Sequence, residues 1–282
     1  MRKPTSYIFT LFIFISFQVQ AKRWGLAKQY SIPSIHDSHL MLGRAEKSEL
    51  DPKSIKVLVW NLLKAERKDW SRDFKMMAKA NDLLLLQEGY LNNKMEDTFF
   101  DLKDFRFDFG VSFLYNKDNK TPTGSILGAN VDPIESGLLR TTDYEPFIKT
   151  PKTITYGYFP ITGMNENVLV LTIHGLNFTK HKPFENQIND ALSVIDQHQG
   201  PIIFAGDFNT RTKKRMRFLR SNMLKRGFKE IAYNNDKRMK VLGHYLDHAF
   251  VKKMLVRKAR VLAHVKSSDH KPLEIELVVD KK

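Results

Sequence analysis

Pro201-Ile202-Ile203-Phe204-Ala205-Gly206-Asp207-Phe208-Asn209-Thr210 begins as a short apolar, β-branched run, the pattern of a buried strand. Gly206 ends the run, and an acid and an amide follow two residues apart. Side chains alternate across a strand, so Asp207 and Asn209 share a direction. They would project together from the carboxyl end of a core strand, where open α/β sheets place their chemistry. The same pair equally suits an Asx-turn leading into a helix, because Asp and Asn favour helix starts. The other strand ends bear on that choice.

Upstream of this stretch, Val168–His174 reads as a strand and Phe184–His198 as an amphipathic helix. Downstream, Arg211–Arg226 predicts a basic helix with Met216, Leu219, Met223 and Leu224 on its inner side. Tyr245–Val251, Leu255–Ala263 and Pro272–Val278 close the chain as strands. Nearer the amino end, strands over Ile55–Trp60 and Asp82–Gln87 flank a helix over Asp69–Ala80, with Ser71 a candidate cap. That strand–helix–strand order predicts parallel pairing. Leu91–Leu102 suits a further helix. Phe105–Tyr115 alternates like a half-buried strand, with its aromatics packed in the core rather than stacking bases. After a loop over Lys117–Thr123, strands over Gly124–Val131, Gly137–Thr142 and Thr153–Phe159 follow without long helices between them, which suits antiparallel pairing. Mixed strand order with outer helices predicts two packed sheets flanked by helices, in a single domain over 54–282.

The first residues carry a different signal. Arg2 and Lys3 precede an apolar run from Tyr7 to Phe17, and Val19-Gln20-Ala21 supplies a cleavage triplet. This predicts a signal peptide over 1–21 and an exported protein, periplasmic or secreted. An uncleaved anchor is the alternative, although the run is shorter than the roughly 20 apolar residues of a spanning helix. Lys22–Lys53, polar and irregular with Pro33, Gly43 and Pro52, reads as a leader. There are no cysteines, so the exported chain relies on its core, and thiol, iron–sulfur and Cys-zinc chemistry are excluded.

The net charge is +15, and it is unevenly placed. From Pro201 onward 21 Lys and Arg face 8 Asp and Glu, whereas Lys22–Gly200 carries equal numbers. A basic final third points to a polyanion such as nucleic acid, or to an anionic membrane surface. A generally solvated basic surface is the plainer explanation.

Several predicted strands end in residues awkward for a core. Asn61 follows Val-Leu-Val-Trp, Glu88 follows Leu-Leu-Leu-Leu-Gln, and His174 follows Leu-Thr-Ile. Leu246-Asp247-His248 opens one late strand, and Ser267-Ser268-Asp269-His270 precedes the last. Hydrolysis of a phosphate ester would use them all. A hard cation such as Mg²⁺ takes oxygen ligands, which Glu88, Asn61 and Asp269 would provide. A carboxylate must take a proton from an aligned water, and a histidine held by an acid can donate to the phosphate. His244 and His248 read as structural neighbours of Asp247.

The ordered series Trp60-Asn61, Leu86-Gln87-Glu88, Ile173-His174, Gly206-Asp207-Phe208-Asn209, Leu246-Asp247-His248 and Ser268-Asp269-His270 resembles the endonuclease/exonuclease/phosphatase superfamily, which includes the deoxyribonuclease-I-like enzymes. The resemblance runs from Lys56 to the end of the chain. Ile148–Phe159 and Ile173–Thr179 further resemble an exported bacterial branch, some members of which carry membrane or signal segments. The resemblance implies a four-layer α/β sandwich, two mixed, mainly antiparallel sheets packed face to face with helices outside. It also implies metal-dependent phosphodiester cleavage with Mg²⁺, or Mn²⁺ or Ca²⁺ in its place. By the same resemblance Glu88, with Asn61 and Asp269, is the metal site. Asp207 orients or deprotonates water, Asn209 holds Asp207 and the phosphate, and His270 contacts the phosphate, oriented by Asp247. His174 resembles the second catalytic histidine of the deoxyribonuclease-like branch, but its glutamate partner has no clear match at Glu135 or Glu145.

The superfamily does not select a substrate. Arg211, Lys214 and Arg215 follow the central strand and would share one side of a helix near its start, placed to track a nucleic-acid backbone. An exported nuclease with little sequence preference is therefore expected. A phosphatase or phosphodiesterase for phospholipid or inositol phosphate headgroups is the alternative, and a non-catalytic binding protein on the same scaffold a third. No protein partner is implied.

Overall fold

The computed structural model describes residues 29–280. The expected signal peptide and the first residues of the leader lie outside them. Strands β1 (Tyr30–Ser31), β2 (His39–Gly43), β3 (Ile55–Asn61), β4 (Leu83–Tyr90), β5 (Arg106–Tyr115) and β6 (Thr121–Ala129) come from the first half of the described chain. The second half supplies β7 (Glu135–Arg140), β8 (Thr153–Phe159), β9 (Val168–His174), β10 (Ile202–Asp207) and β11 (Lys229–Glu230). A small hairpin of β12 (Lys240–Val241) and β13 (His244–Tyr245) precedes β14 (Asp247–Lys252), β15 (Met254–Val261) and β16 (Leu273–Val279). The helices are α1 (Trp70–Ala78), α2 (Asn93–Phe100), α3 (His181–Ile195) and α4 (Lys213–Lys225).

One large sheet runs β1-β5-β6-β4-β3-β16-β15, with β2 also on β5; the other runs β11-β14-β10-β9-β8-β7. Pairing within both is antiparallel except for β3 with β4 and β9 with β10. Those two parallel pairs are the ones bridged by helices, α1 and α3, as a parallel connection requires.

The alternation of each central strand builds the layers. Val57 and Val59 of β3 meet Val170, Ile203 and Ala205 between the sheets. Their neighbours Leu58 and Trp60 face outward onto Trp70 and Phe74 of α1 and Phe99 of α2. In the second sheet Leu169, Leu171 and Ile173 pack on Phe184 and Ile188 of α3 and on Leu219 of α4. Strands covered on both faces need continuous apolar runs, which is why these segments read so plainly. The expected order of helices, sheet, sheet, helices is the observed one.

The leader is not irregular throughout. Tyr30 and Ser31, then His39–Gly43, pair with β5, and Lys47 and Leu50 bridge to Val131 and Ile161. These strands cap an edge that would otherwise expose unpaired backbone. Nor is β5 half-buried: Asp108 on its polar face is enclosed by Arg106, His39 and Ser136. Its phenylalanines do pack in the core, as expected. The α1 helix begins after Asp69 rather than at a capping Ser71, and Ser71 hydrogen-bonds Thr98 of α2 instead.

Candidate active site

Both parallel pairs end at one place. Asn61 lies opposite Gln87 at the end of β3, and Asp207 lies between His174 of β9 and Asp247 of β14. Register within each sheet, with the sheets packed face to face, therefore collects an amide, two carboxylates and a histidine. The Gln87 amide nitrogen donates to Thr172 Oγ1 at 2.9 Å, tying the sheets together beneath them.

Local backbone aims the side chains. The β4–β6 register shifts between Leu86 and Gly89, and Glu88 within that bulge has φ +53°. Bulges re-aim a side chain in this way, and here Glu88 turns toward the gap between the sheets. Gly206 has φ +144°, and a Cβ there would strike the Ile173 carbonyl oxygen, so only glycine permits this approach of β10 to β9. Asn209 has φ +50°; its amide N–H donates to Asp207 Oδ1 at 2.9 Å and its side chain to the Gly175 carbonyl at 2.9 Å. The Asx-turn and the site are thus the same object: Asn209 makes the turn that fixes Asp207.

Asn61 Nδ2 donates at 3.1 Å to both Glu88 Oε1 and Asp207 Oδ2. His270 donates through Nδ1 to Asp247 at 2.9 Å, and its Nε2 stands 3.8 Å from Asp207 Oδ2. His174 Nε2 stands 3.9 Å from the same oxygen and 3.8 Å from Glu88 Oε1. These separations exceed hydrogen bonds and leave room for another group's oxygens. Burial raises the Asp207 carboxyl to about 7, a rise that Asp247 and Glu88 increase and His270 opposes. Burial alone would lower the His270 imidazole, but Asp247 and Asp207 together raise it to about 10. It is therefore an imidazolium at neutral pH.

His174 is the opposite case. Lys152 Nζ lies 3.5 Å from its Nδ1, and Glu145 lies 3.5 Å beyond that ammonium. Burial first, then Lys152 and His270, hold its pKa well below the ordinary value. A neutral ring with Nδ1 facing an ammonium carries its proton on Nε2, directed at the gap. The acid missing beside His174 is thus replaced by a lysine, with Glu145 one step removed.

Not every expected ligand sits as expected. The Asn61 oxygen accepts from the Leu63 amide at 3.1 Å, so its nitrogen faces the carboxylates and it bridges them rather than ligating. Asp269 is exposed, its carboxylate accepting from the His270 amide at 3.1 Å. Asp207, Asp247 and His270 also lie within metal-binding distance of one another, 4.8 Å. His270 Nδ1 is already held by Asp247, however, so this trio forms an acid–histidine pair aimed at a second acid. A divalent cation fits better at Glu88: two carboxylates share one amide donor there, and oxygen ligands suit a hard ion.

Arg215 departs from its expected role. It is buried; its guanidinium donates to the carbonyls of Leu176 at 2.8 Å, Asn209 at 3.1 Å and Thr179 at 2.9 Å, and covers the Phe184 ring. The α4 helix starts at Lys213 behind a Thr212 cap, which turns residue 215 inward. Arg211 precedes the helix and donates to Asn209 Oδ1 at 3.3 Å, while Lys214 is exposed. The basic surface is also narrower than the charge count suggests, since Arg220, Arg226, Arg257 and Arg260 are paired with carboxylates. His248 is structural as expected, buried between Glu230 and Thr210.

Three site residues gave no signal in the sequence. Lys152 lies in an ordinary loop before β8. Gln187, within an amphipathic helix, donates to the His174 carbonyl at 2.9 Å and accepts from the Leu176 amide at 2.7 Å. Lys64 belongs to a left-handed turn, Leu63–Ala65, that follows Asn61. With Lys152, Glu88 and His174 it lines a cavity of about 190 Å³.

The residues from 58 to 270 match the model of the Endonuclease/Exonuclease/phosphatase family. The chain belongs to that family. Its members are usually hydrolases acting on phosphoester bonds, and they generally use a divalent metal. A UPF0294 protein of Vibrio vulnificus is 29% identical over 231 residues, covering 80% of this chain and 77% of its own. An endonuclease/exonuclease/phosphatase from Beutenbergia cavernae has a similar fold, with a TM-score of 0.63 at 15% identity over 80% of this chain and 72% of that one. So does a mannosyl-6-phosphatase of Bacteroides thetaiotaomicron, with a TM-score of 0.57 at 19% identity over 79% and 99%.

Proposed function

We propose that this chain is an exported phosphodiesterase, dependent on Mg²⁺ or a similar divalent ion, that cuts nucleic acid with little sequence preference. The observation that carries the chemistry is Asp207 Oδ2, held by Asn61 and flanked by two imidazole Nε2 atoms at 3.8 and 3.9 Å. A phosphoryl group in that gap would meet a cationic donor in His270 and a neutral donor in His174. Asp207, with a pKa near 7, would align a water and take its proton as the water oxygen attacks phosphorus and the P–O bond to the leaving group breaks. Glu88, with Asp269 at the rim, would hold the metal, which supplies Lewis-acid stabilisation of charge on the phosphoryl and leaving oxygens. Asn61 and Asn209 keep the two carboxylates in place. The exposed Lys213, Lys214 and Arg217 at the start of α4 support nucleic acid as the substrate, by sequence-independent phosphate contacts. Export rests on the amino-terminal pattern.

Plasmid, single-stranded DNA, RNA and phospholipid vesicles, each with and without Mg²⁺ and with His270→Ala as the inactive control, test this reading. Chelator-sensitive cutting of polynucleotide is expected, weakening as salt rises; intact polynucleotide with Mg²⁺ or Mn²⁺ present would refute it. The small cavity lined by Lys64 and Lys152 favours a second reading, a compact phosphorylated headgroup, which release of that group in the vesicle arm would support.

A further inference from the structure

Beside the cavity that holds Glu88 and His174, two phenylalanines stand in water. Phe147 and Phe178 are 69% and 61% exposed, with ring centroids 5.7 Å apart at 72°. They come from separate loops, joined where the Asn177 amide donates to Glu145 Oε1 at 3.0 Å. Their chain neighbours Ile148 and Asn177 line the cavity, which places the pair beside it. Arg211 covers the Phe178 ring at 4.6 Å while its Nε reaches Asn209, so one side chain links the aromatic pair to the Asp207 turn. Phe178 has φ +54°, a conformation that bulky residues rarely adopt. Exposed Lys149, Lys180 and Lys182 lie close to the two rings in sequence.

Rings this exposed contribute little to packing, and the backbone at Phe178 is strained to present one of them. Flat apolar faces with a guanidinium over one of them and lysines close by in sequence fit a ligand that combines an aromatic ring with phosphate. We propose that Phe147 and Phe178 form a stacking platform for an unpaired nucleobase next to the scissile phosphate. The proposal rests on the nuclease reading above and specifies the form of nucleic acid preferred: single strands or frayed ends. Stacking is available to every base, which agrees with low sequence preference, whereas duplex bases already hide their faces in the stack. Arg211 adds a cation–π contact beneath the ring.

The test uses the full chain and three paired variants, F147A/F178A, F147L/F178L and F147W/F178W. Each is assayed on a single-stranded oligonucleotide, on the same strand in duplex, and on the strand carrying an abasic residue on either side of the cut in turn. For the single strand, the Ala and Leu pairs should raise KM about tenfold, within the range of base–aromatic stacking, with less effect on kcat. The Trp pair should restore KM. An abasic residue at the stacked position should raise KM in the native protein by a similar factor and abolish the difference between native and Ala forms. Two results overturn the platform while leaving the nuclease reading intact: single strands cut with unchanged KM by the Ala pair, or a Leu pair as good as native. Headgroup release from phosphatidylcholine/phosphatidylglycerol vesicles that the Leu pair retains and the Ala pair loses also overturns it, in favour of membrane insertion. A native protein that cuts no polynucleotide refutes the nuclease reading itself.

Discussion

Replacing Arg215 with Met separates a structural arginine from a substrate-binding one. The guanidinium donates to the Leu176, Asn209 and Thr179 carbonyls and to Thr179 Oγ1. The Asn209 carbonyl also accepts from the Arg211 amide, so Leu176 is the buried carbonyl left without a partner, at a cost of about 1–3 kcal/mol. Losing the charged bonds to Thr179 and the contact with Phe184 adds to this. Met escapes the burial penalty that lowers the Arg215 pKa to about 10, which offsets part of the loss. A net destabilisation of about 2–4 kcal/mol results, and for a chain of this size that lowers Tm by roughly 5–12 °C. Urea or thermal unfolding of the metal-free protein measures it. Activity should fall as well, because the anchored carbonyls belong to the segments that carry His174 and Asn209. The slope of log(kcat/KM) against log[salt] should stay that of the native protein. Native stability combined with a slope smaller by about one would show a lost phosphate contact and refute this reasoning.

Asp247→Asn should lower kcat/KM by about 10²–10⁴ at neutral pH, because His270 loses the anion that keeps it protonated; steady-state kinetics checks this. In chelator, the His270 ion pair stabilises the fold fully below the unfolded histidine pKa near 6.5, and that stability is lost as pH rises through about 10. The native protein should therefore lose more stability than D247N between those limits in denaturant titrations. Lys152→Met frees His174 Nδ1 from the ammonium, so its pKa should rise; a shift of the His174 ring titration in NMR to higher pH, with kcat reduced about 10-fold or more, is expected. Gly206→Ala should cost more than about 3 kcal/mol, since the new Cβ meets the Ile173 carbonyl in a backbone conformation closed to alanine.

The sequence by itself determined the layers and most of the site. Val-Leu-Val-Trp before Asn61, Leu-Leu-Leu-Leu before Gln87 and Ile-Ile-Phe-Ala before Gly206 are apolar throughout because helices cover one face and the other sheet covers the second. A polar residue at the end of such a run stands out, so Asn61, Glu88, His174, Asp207 and Asn209 were legible, while Asp247 and His270 were marked by their places at and before the starts of late strands. Tertiary structure alone decided which partner each of them meets. Lys152 reaches His174 from the loop before β8, and Gln187 fixes the His174 carbonyl from a helix that reads as ordinary amphipathic surface. Arg215 looks like its exposed neighbours Lys213 and Lys214 until the Thr212 cap sets the helix phase and turns it inward. Local pattern fixes burial and direction along one element; the contacts that set a charge state or satisfy a buried cation join residues far apart in the chain, and only packing brings them together.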